Sequence, residues 1–304
     1  MQLKRFFLYT LAKCLWFVPD EWMLRIQYRI KTGHTLHLKH PERFTEKIQH
    51  YKAYYRNPVM KQCVDKYTVR EYVAHKLGTD AYLNTLYQLC NTAEEIDFNA
   101  LPNQFVIKTT DGGSGDNVLI CKDKHALDIP GAIKAIRSWS KKKYAVISRE
   151  WAYGLANGSR IIVEKYLEDD RNSDGSIEDY KFFCYEGHFR YLWVDKNRYS
   201  NHTRCFYNQD LQWIEGVDSD YPHSPFAFDL PANIGEMITL AEKLSQDFPF
   251  ARIDLYNIKG RIVFGEITFY PISGYGKFNP DSFDYDLGRF FNVDAYGAFD
   301  KRRN

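Results

Sequence analysis

Two carboxylates, Asp254 and Glu266, sit on β-rich runs within residues 250–274, FARIDLYNIKGRIVFGEITFYPISG. Between the runs lies Asn257-Ile258-Lys259-Gly260, a sequence suited to a hairpin turn. Placing Gly260 at the left-handed third position of a three-residue turn pairs Asn257 with Arg261. That register sets Arg252 opposite Glu266 and Asp254 opposite Phe264. Alternate residues share a strand face, so Arg252, Asp254, Glu266 and Thr268 gather on one side. Carboxylates on a diagonal of one face lie roughly 7–8 Å apart at Cα. Their oxygens can then hold Mg²⁺, which takes one or two carboxylates plus waters and substrate phosphates. A solvated, ion-paired face is the plainer reading of the same four groups.

A second stretch with chemistry is FVIK, 105–108, followed by TTDGGSGD. Its glycines let a hairpin turn fold backbone N–H groups over phosphates, and Lys108 supplies a point charge. The pattern is neither GxxxxGK[ST] nor a GxGxxG opening a helix, and such a turn can also be just a turn. The run IIVEKYL brings Glu164 to a strand end before a polar loop, 168–178. It reads as a hinge whose backbone meets adenine, or as an edge strand with a charged tip. Asp179 and Lys181 share a strand face, as alternate residues do. His34, His37 and His40 lack a nearby carboxylate or cysteine cluster, so a polar connector fits them better than a metal site.

These groups need elements to hold them. The chain has 304 residues, enough for two or three packed units. Lys plus Arg is 41 against 39 Asp plus Glu, a net +2. No nucleic acid or other polyanion follows from that balance, and any basic site must be local. A hydrophobic content of 44% with 16% aromatics argues for a folded globular protein. Cysteines 14, 63, 90, 121, 184 and 205 lack CxxC spacing and mostly lie in apolar runs. They read as buried free thiols in a reducing, cytoplasmic setting. No stretch reaches the roughly 18–20 apolar residues of a membrane span. The start, KRFFLYTLAKCLWFVP, resembles a signal h-region, but Lys13 interrupts it and no small-x-small site follows. Phe7, Leu8, Leu11, Leu15 and Phe17 instead suggest an amphipathic helix docking on the protein, peripheral contact with the inner membrane face being the second option.

Residues 1–60 read as helical, and 65–78 as an amphipathic helix with Val69, Tyr72, Val73 and Leu77 inward and Gly78 as its stop. Strands follow at 81–88, 105–108, 117–123 and 160–167, with a basic helix at 132–143. DYKFFCYEGHFRYLWVD is a hairpin turning at Glu186-Gly187, RCFYNQDLQW a further strand and turn, and 231–246 a helix. Strands outnumber helices after residue 100 and are mostly joined by hairpins. That pattern means α+β with antiparallel sheets.

In that order, DKYTVREYV, FVIKTTDGGSGD, RIIVEKYL, DYKFFCYEG and RIDLYNIKGRIVFGEITFYPISG resemble the TupA-like ATP-grasp proteins of polysaccharide gene clusters. The motifs span residues 65–274, and PERFTEKIQHYKAYYRNP is similar to that family's helical leader. The resemblance implies an ATP-grasp fold: a helical region, 1–60, then lobes 61–163 and 164–304 clamping ATP. It implies that Lys66 and Lys108 contact phosphates under the loop Asp111, Gly112, Gly113, Ser114 and Gly115. Glu164, Lys165, Tyr166 and Leu167 would frame the adenine, and Asp179 would reach the ribose. Lys181 and Arg204 would meet the β- and γ-phosphates. Asp254 and Glu266 would hold two Mg²⁺ ions, with Thr268 where relatives that make D-alanyl-D-alanine have Asn. Arg252 and backbone groups near Ser273-Gly274 would face a tetrahedral oxyanion. The implied activity is an ATP-dependent carboxylate–amine ligase working through an acylphosphate. Its substrates would be small molecules, an amine and a uronic acid or UDP-uronate, in capsule or O-antigen decoration.

A different class, a nucleotide-sugar glycosyltransferase, could use Asp218-Ser219-Asp220 or Asp284-Tyr285-Asp286 as a DxD metal site. It leaves the Lys108 strand and its glycine loop unexplained. A non-catalytic nucleotide-binding scaffold would leave Asp254, Glu266 and Arg252 without a task.

Overall fold

The computed structural model describes Leu15 and residues 17–111, 117–139, 147–154, 158–169, 175–197 and 200–297. Four helices come first: α1 (Asp20–Thr32), α2 (Phe44–Tyr54), α3 (Val59–Val64) and α4 (Val69–Leu77). Gly78 stops α4 as its composition suggests, at φ +70°, and Gly33 ends α1 at φ +85°.

Two antiparallel sheets follow. The smaller runs β1-β4-β2-β3, from β1 (Leu86–Cys90), β2 (Phe105–Thr109), β3 (Val118–Cys121) and β4 (Ile161–Lys165). Helix α5 (Ile129–Trp139) backs it, and Ile136 joins Phe105, Ile107, Cys121 and Val163 in its core. The basic helix starts three residues earlier than 132, because Pro130 suits a first turn. Strand β4 runs across the expected lobe boundary between 163 and 164.

The larger sheet runs β10-β9-β5-β6-β7-β8. Its strands are β5 (Asp179–Tyr185), β6 (His188–Lys196), β7 (Thr203–Asn208), β8 (Trp213–Ile214), β9 (Phe250–Ile258) and β10 (Arg261–Thr268). The β5–β6 hairpin turns at Glu186-Gly187 as expected, both residues with positive φ. One face is apolar: Phe182, Leu192, Ile253 and Leu255 share a core with Met237, Ala241 and Leu244 of α6 (Ile234–Ser245). At one end Phe44 of α2 packs on Phe183 and Phe250. Helix α7 (Ser282–Gly288) lies against α2, where Lys47 Nζ donates to Gly288 O at 2.9 Å. A Cβ at Gly288 would collide with the Glu42 carbonyl oxygen.

The β9–β10 hairpin departs from the expected register. Ile258 pairs with Arg261, so the turn has two residues, Lys259 and Gly260, at φ +53° and +87°. Two left-handed residues match the twist of the flanking strands better than the three-residue turn does. That one-residue shift alone would set Glu266 opposite Ile253, on the apolar face. A bulge at Gly265 adds a second residue of shift, which returns Glu266 to the polar face but opposite Asp254 rather than Arg252, with Thr268 opposite Arg252. Phe264, on the turn side of the bulge, pairs with Leu255 rather than Asp254.

Among the described residues no helix is long and apolar enough to cross a membrane. Cys63, Cys90, Cys121, Cys184 and Cys205 are buried free thiols, while Cys14 lies outside the described residues.

Candidate active site

The polar face of the larger sheet carries its charges as a lattice across five strands, β10, β9, β5, β6 and β7. Arg252 grips Asp254 with both prongs, Nε to Oδ1 and Nη2 to Oδ2, each at 2.7 Å. The same Nη2 lies 3.1 Å from Thr268 Oγ1 and 3.4 Å from Glu266 Oε1. Thr268 donates its hydroxyl to Glu266 at 3.2 Å. From β5, Lys181 Nζ reaches Asp254 Oδ2 at 3.1 Å and pairs with Asp179 on its own strand. Burial pushes the Asp254 carboxyl up to about 6 against the pull of Arg252 and Lys181. Burial also acts to raise Glu266, but Lys66, Arg252 and Lys181 prevail and bring it down to about 2.

The lattice continues to β7 through a residue that motif reading passed over. Asp195 accepts Arg204 Nε at 2.7 Å and lies 3.9 Å from Lys181 Nζ. His202 Nε2 is 3.1 Å away. Burial alone would raise Asp195, yet His202, Arg204 and Lys181 hold it far below the usual carboxylate range. Arg204 stacks over Trp193 at 3.6 Å and is 3% exposed. The sequence held no plain signal for Asp195: folding the hairpin at Glu186-Gly187 alone sets Val194 opposite Asp179, and an irregularity in the ladder between Phe183 and Cys184 moves Asp195 into that place.

Facing the hairpin are three further cations, Lys108 on β2, Arg70 on α4 and Lys66 just before it. Lys108 Nζ holds Glu164 Oε2 at 2.6 Å, and Arg70 Nη1 lies 3.6 Å from Glu164 Oε1. Lys66 spans the gap, its Nζ 3.6 Å from Glu266 Oε2, while its backbone N–H bonds Thr110 O at 2.8 Å. A cleft opens between Lys66, Arg70, Lys108, Glu164 and Leu167 on one side and Tyr256, Phe264 and Gly265 on the other. Arg70 and Tyr256 were also missed, although Arg70 lies one helical turn after Lys66 and Tyr256 two residues after Asp254. Lys165 exposes its side chain and pairs its backbone N–H with Thr85 O at 2.9 Å. Tyr166 is buried, 5.8 Å from Lys122 Nζ. Asp111 accepts the Ser159 hydroxyl, and Gly112, Gly113, Ser114 and Gly115 lie outside the described residues.

After β10 the backbone turns left-handed three times running, at Ile272, Ser273 and Gly274, with φ of +51°, +54° and +63°. A Cβ on Gly274 would sit 2.6 Å from Ile48 Cγ2 of α2. Gln49 Nε2 donates to Gly274 O at 2.6 Å. Lys52, fully buried, donates to Ser273 O at 2.7 Å, Ser273 Oγ at 2.8 Å and Ser148 O at 3.1 Å. Glu150 lies 3.5 Å from the same ammonium, which burial pushes down to about 8. No motif announced Lys52, a lysine inside an ordinary-looking helix.

Among the described residues no three His, Cys, Asp or Glu side chains gather into a metal cage. Asp254, Glu266 and Thr268 nonetheless form an all-oxygen set that fits Mg²⁺, which needs only one or two protein carboxylates. The first acid of each DxD is committed elsewhere. Asp218 takes the His223 backbone N–H at 3.0 Å, and Asp284 takes the Thr45 N–H at 3.0 Å and hydroxyl at 2.6 Å.

A family model described as TupA-like ATPgrasp matches residues 46–292. The chain belongs to the TupA-like ATP-grasp family. It is therefore an ATP-grasp carboxylate–amine ligase of mixed helix and antiparallel sheet. Similar solved structures include D-alanine–D-alanine ligase from Bacillus anthracis, 15% identical, with a TM-score of 0.47 over 80% of this chain and 70% of that one. D-alanyl-alanine synthetase A from Vibrio cholerae is 13% identical, with a TM-score of 0.46 over 78% and 66%. L-amino acid ligase from Bacillus licheniformis is 14% identical, with a TM-score of 0.41 over 75% of this chain and 46% of that one. No curated protein sequence matches.

Proposed function

We propose that this ATP-grasp ligase converts a uronic acid carboxylate to an acylphosphate and joins it to an amine, decorating a capsule or O-antigen polysaccharide in the cytoplasm. The observation that carries the reading is the pairing of Asp254 with Glu266, ringed by Arg252 and Lys181, across a cleft from Lys66 and Lys108.

In this reading the lobes 61–163 and 164–304 close on ATP. Lys66 and Lys108 hold its phosphates with the loop 111–115, while Glu164 through Leu167 meet the adenine and Asp179 the ribose. Asp254 and Glu266, with Thr268 as a further oxygen, would hold Mg²⁺, which would supply neutralisation of the phosphate charge. The carboxylate oxygen attacks the γ-phosphorus, the bond to the β-phosphate oxygen breaks, and ADP leaves with that electron pair. Lys181 and Arg204 offset charge on the transferred group, so positioning and electrostatics supply most of the rate. The amine then attacks the acyl carbon and loses a proton, and phosphate departs. Arg252 and the backbone at Gly274 face the oxyanion of that step. To engage the metal, Asp254 must loosen its grip on Lys181 and Arg252. The five buried thiols support a reducing compartment.

The test is release of ADP and phosphate with Mg²⁺ across UDP-uronic acids crossed with amines. Release should need both partners, and hydroxylamine should trap a hydroxamate. Release of UDP from a nucleotide sugar without ATP would replace this reading with the glycosyltransferase.

A further inference from the structure

We propose that the outward face of α1 docks on an anionic lipid bilayer. Trp22, Ile26 and Ile30 recur every fourth residue, so they form one stripe along the helix. They are 65%, 48% and 65% exposed, while Met23, Leu24, Tyr28 and Thr32 fill the opposite side. Arg25 and Arg29 flank the stripe on the outward half. Each ties one guanidinium nitrogen to the following connector, Arg25 to Leu36 O at 2.7 Å and Arg29 to Gly33 O at 2.6 Å. The acids of the helix are drawn to the protein: Asp20 meets Arg149 at 3.0 Å, and Glu21 accepts the Tyr54 hydroxyl at 2.7 Å.

A tryptophan and two isoleucines beside two guanidiniums make the outer surface of a helix that lies in the plane of a membrane interface. The apolar side chains enter the headgroup boundary, and the arginines meet lipid phosphates. The sequence before α1 has the same character. Residues 1–19 contain Lys4, Arg5, Lys13 and several large apolar residues, with no Asp or Glu. A second copy of the chain would cover the stripe by bringing Arg25 and Arg29 against their own kind, so a negatively charged surface suits it better.

The inner side of α1 touches the catalytic end. Leu24 and Tyr28 cluster with Leu36, Leu38 and Tyr275, and Gln27 Oε1 accepts the Tyr275 hydroxyl at 2.6 Å. Tyr275 directly follows the left-handed turn at Gly274. Resting on the ligase reading, this puts the amide-forming end beside the bilayer and favours a substrate carried on a lipid.

Flotation of the full chain with vesicles tests the docking. The protein should float at low salt with phosphatidylcholine–phosphatidylglycerol vesicles and stay behind with phosphatidylcholine alone. The variant Trp22→Glu/Ile26→Glu/Ile30→Glu should lose about tenfold or more in partitioning, with melting temperature and nucleotide affinity unchanged. A chain lacking residues 1–14 should keep a measurable part of the binding. The proposal is overturned if the parent ignores anionic vesicles, if the triple variant binds as well, or if removing 1–14 abolishes binding. It is equally overturned if sedimentation velocity shows a parent dimer that the triple variant dissolves. None of these outcomes depends on the hydroxamate trap, so the two readings can fail separately.

Discussion

Glu266 lies within 3.6 Å of Lys66 and 3.4 Å of Arg252. Glu266→Gln keeps the size and one acceptor oxygen for Arg252 and Thr268, but it turns an NH2 toward Lys66 and removes the charge that the proposed metal would need. MgATP affinity by calorimetry should stay within about threefold, while ADP release falls about a hundredfold or more. An equal loss of binding would make Glu266 a structural residue. Lys108→Ala should instead abolish measurable ATP binding in the same titration. Glu164 keeps Arg70 at 3.6 Å, so the fold should survive, and an unchanged melting temperature is the control. Much of this charge pattern was legible from the sequence, because alternation alone puts Arg252, Asp254, Glu266 and Thr268 on one face. Lys52 was not. Its importance comes from residues 148–150 and 272–274 converging on it, and nothing within a turn of it in sequence shows that.

The hairpin shows what an element adds to its residues. Its sequence suggested a register one residue off near the turn, and the bulge at Gly265 makes the offset two; because two is a whole side-chain period, the polar groups still cluster on one face, with different partners. A glycine between strand residues reads as neutral in a sequence, whereas here it decides which face Glu266 occupies. A Cβ at Gly265 would lie 2.9 Å from the Asp254 carbonyl oxygen. Gly265→Ala should therefore lower stability by about 1–3 kcal/mol, a drop of a few degrees in melting temperature. It should also weaken Mg²⁺ dependence, since Asp254 and Glu266 lose their opposition. An alanine variant with unaltered melting and metal response would show that the bulge is easily moved.

At the scale of the whole molecule, the N-terminal helices are built into the catalytic end through Lys52. Its ammonium ordinarily titrates near 10.5 and is lowered to about 8 in the fold. Between those values the unfolded chain binds more protons than the native one, so Lys52 makes stability rise with pH across that window. Below pH 8 the burial cost is felt in full. Lys52→Met should erase the rise, so urea unfolding should show the parent gaining on the variant from pH 8 to 10.5. A constant difference across that range would mean that the amine does not titrate there.

The two sheets also keep separate interiors: Phe105, Ile107 and Val163 belong to one core, and Phe182, Ile253 and Leu255 to another. A molecule with two interiors can come apart in two steps. Amide hydrogens of β2 and β4 should exchange with solvent through a local opening that costs less than the global unfolding needed to expose β5 and β9. A nucleotide held, as proposed, between Lys108 and Glu266 would bind only when both halves are closed. At a hundred times its dissociation constant it would add about 2.7 kcal/mol to that cheaper opening. ATP is then a fastener as well as a reactant, and slowed exchange in β2 and β4 would report its arrival before any substrate is known.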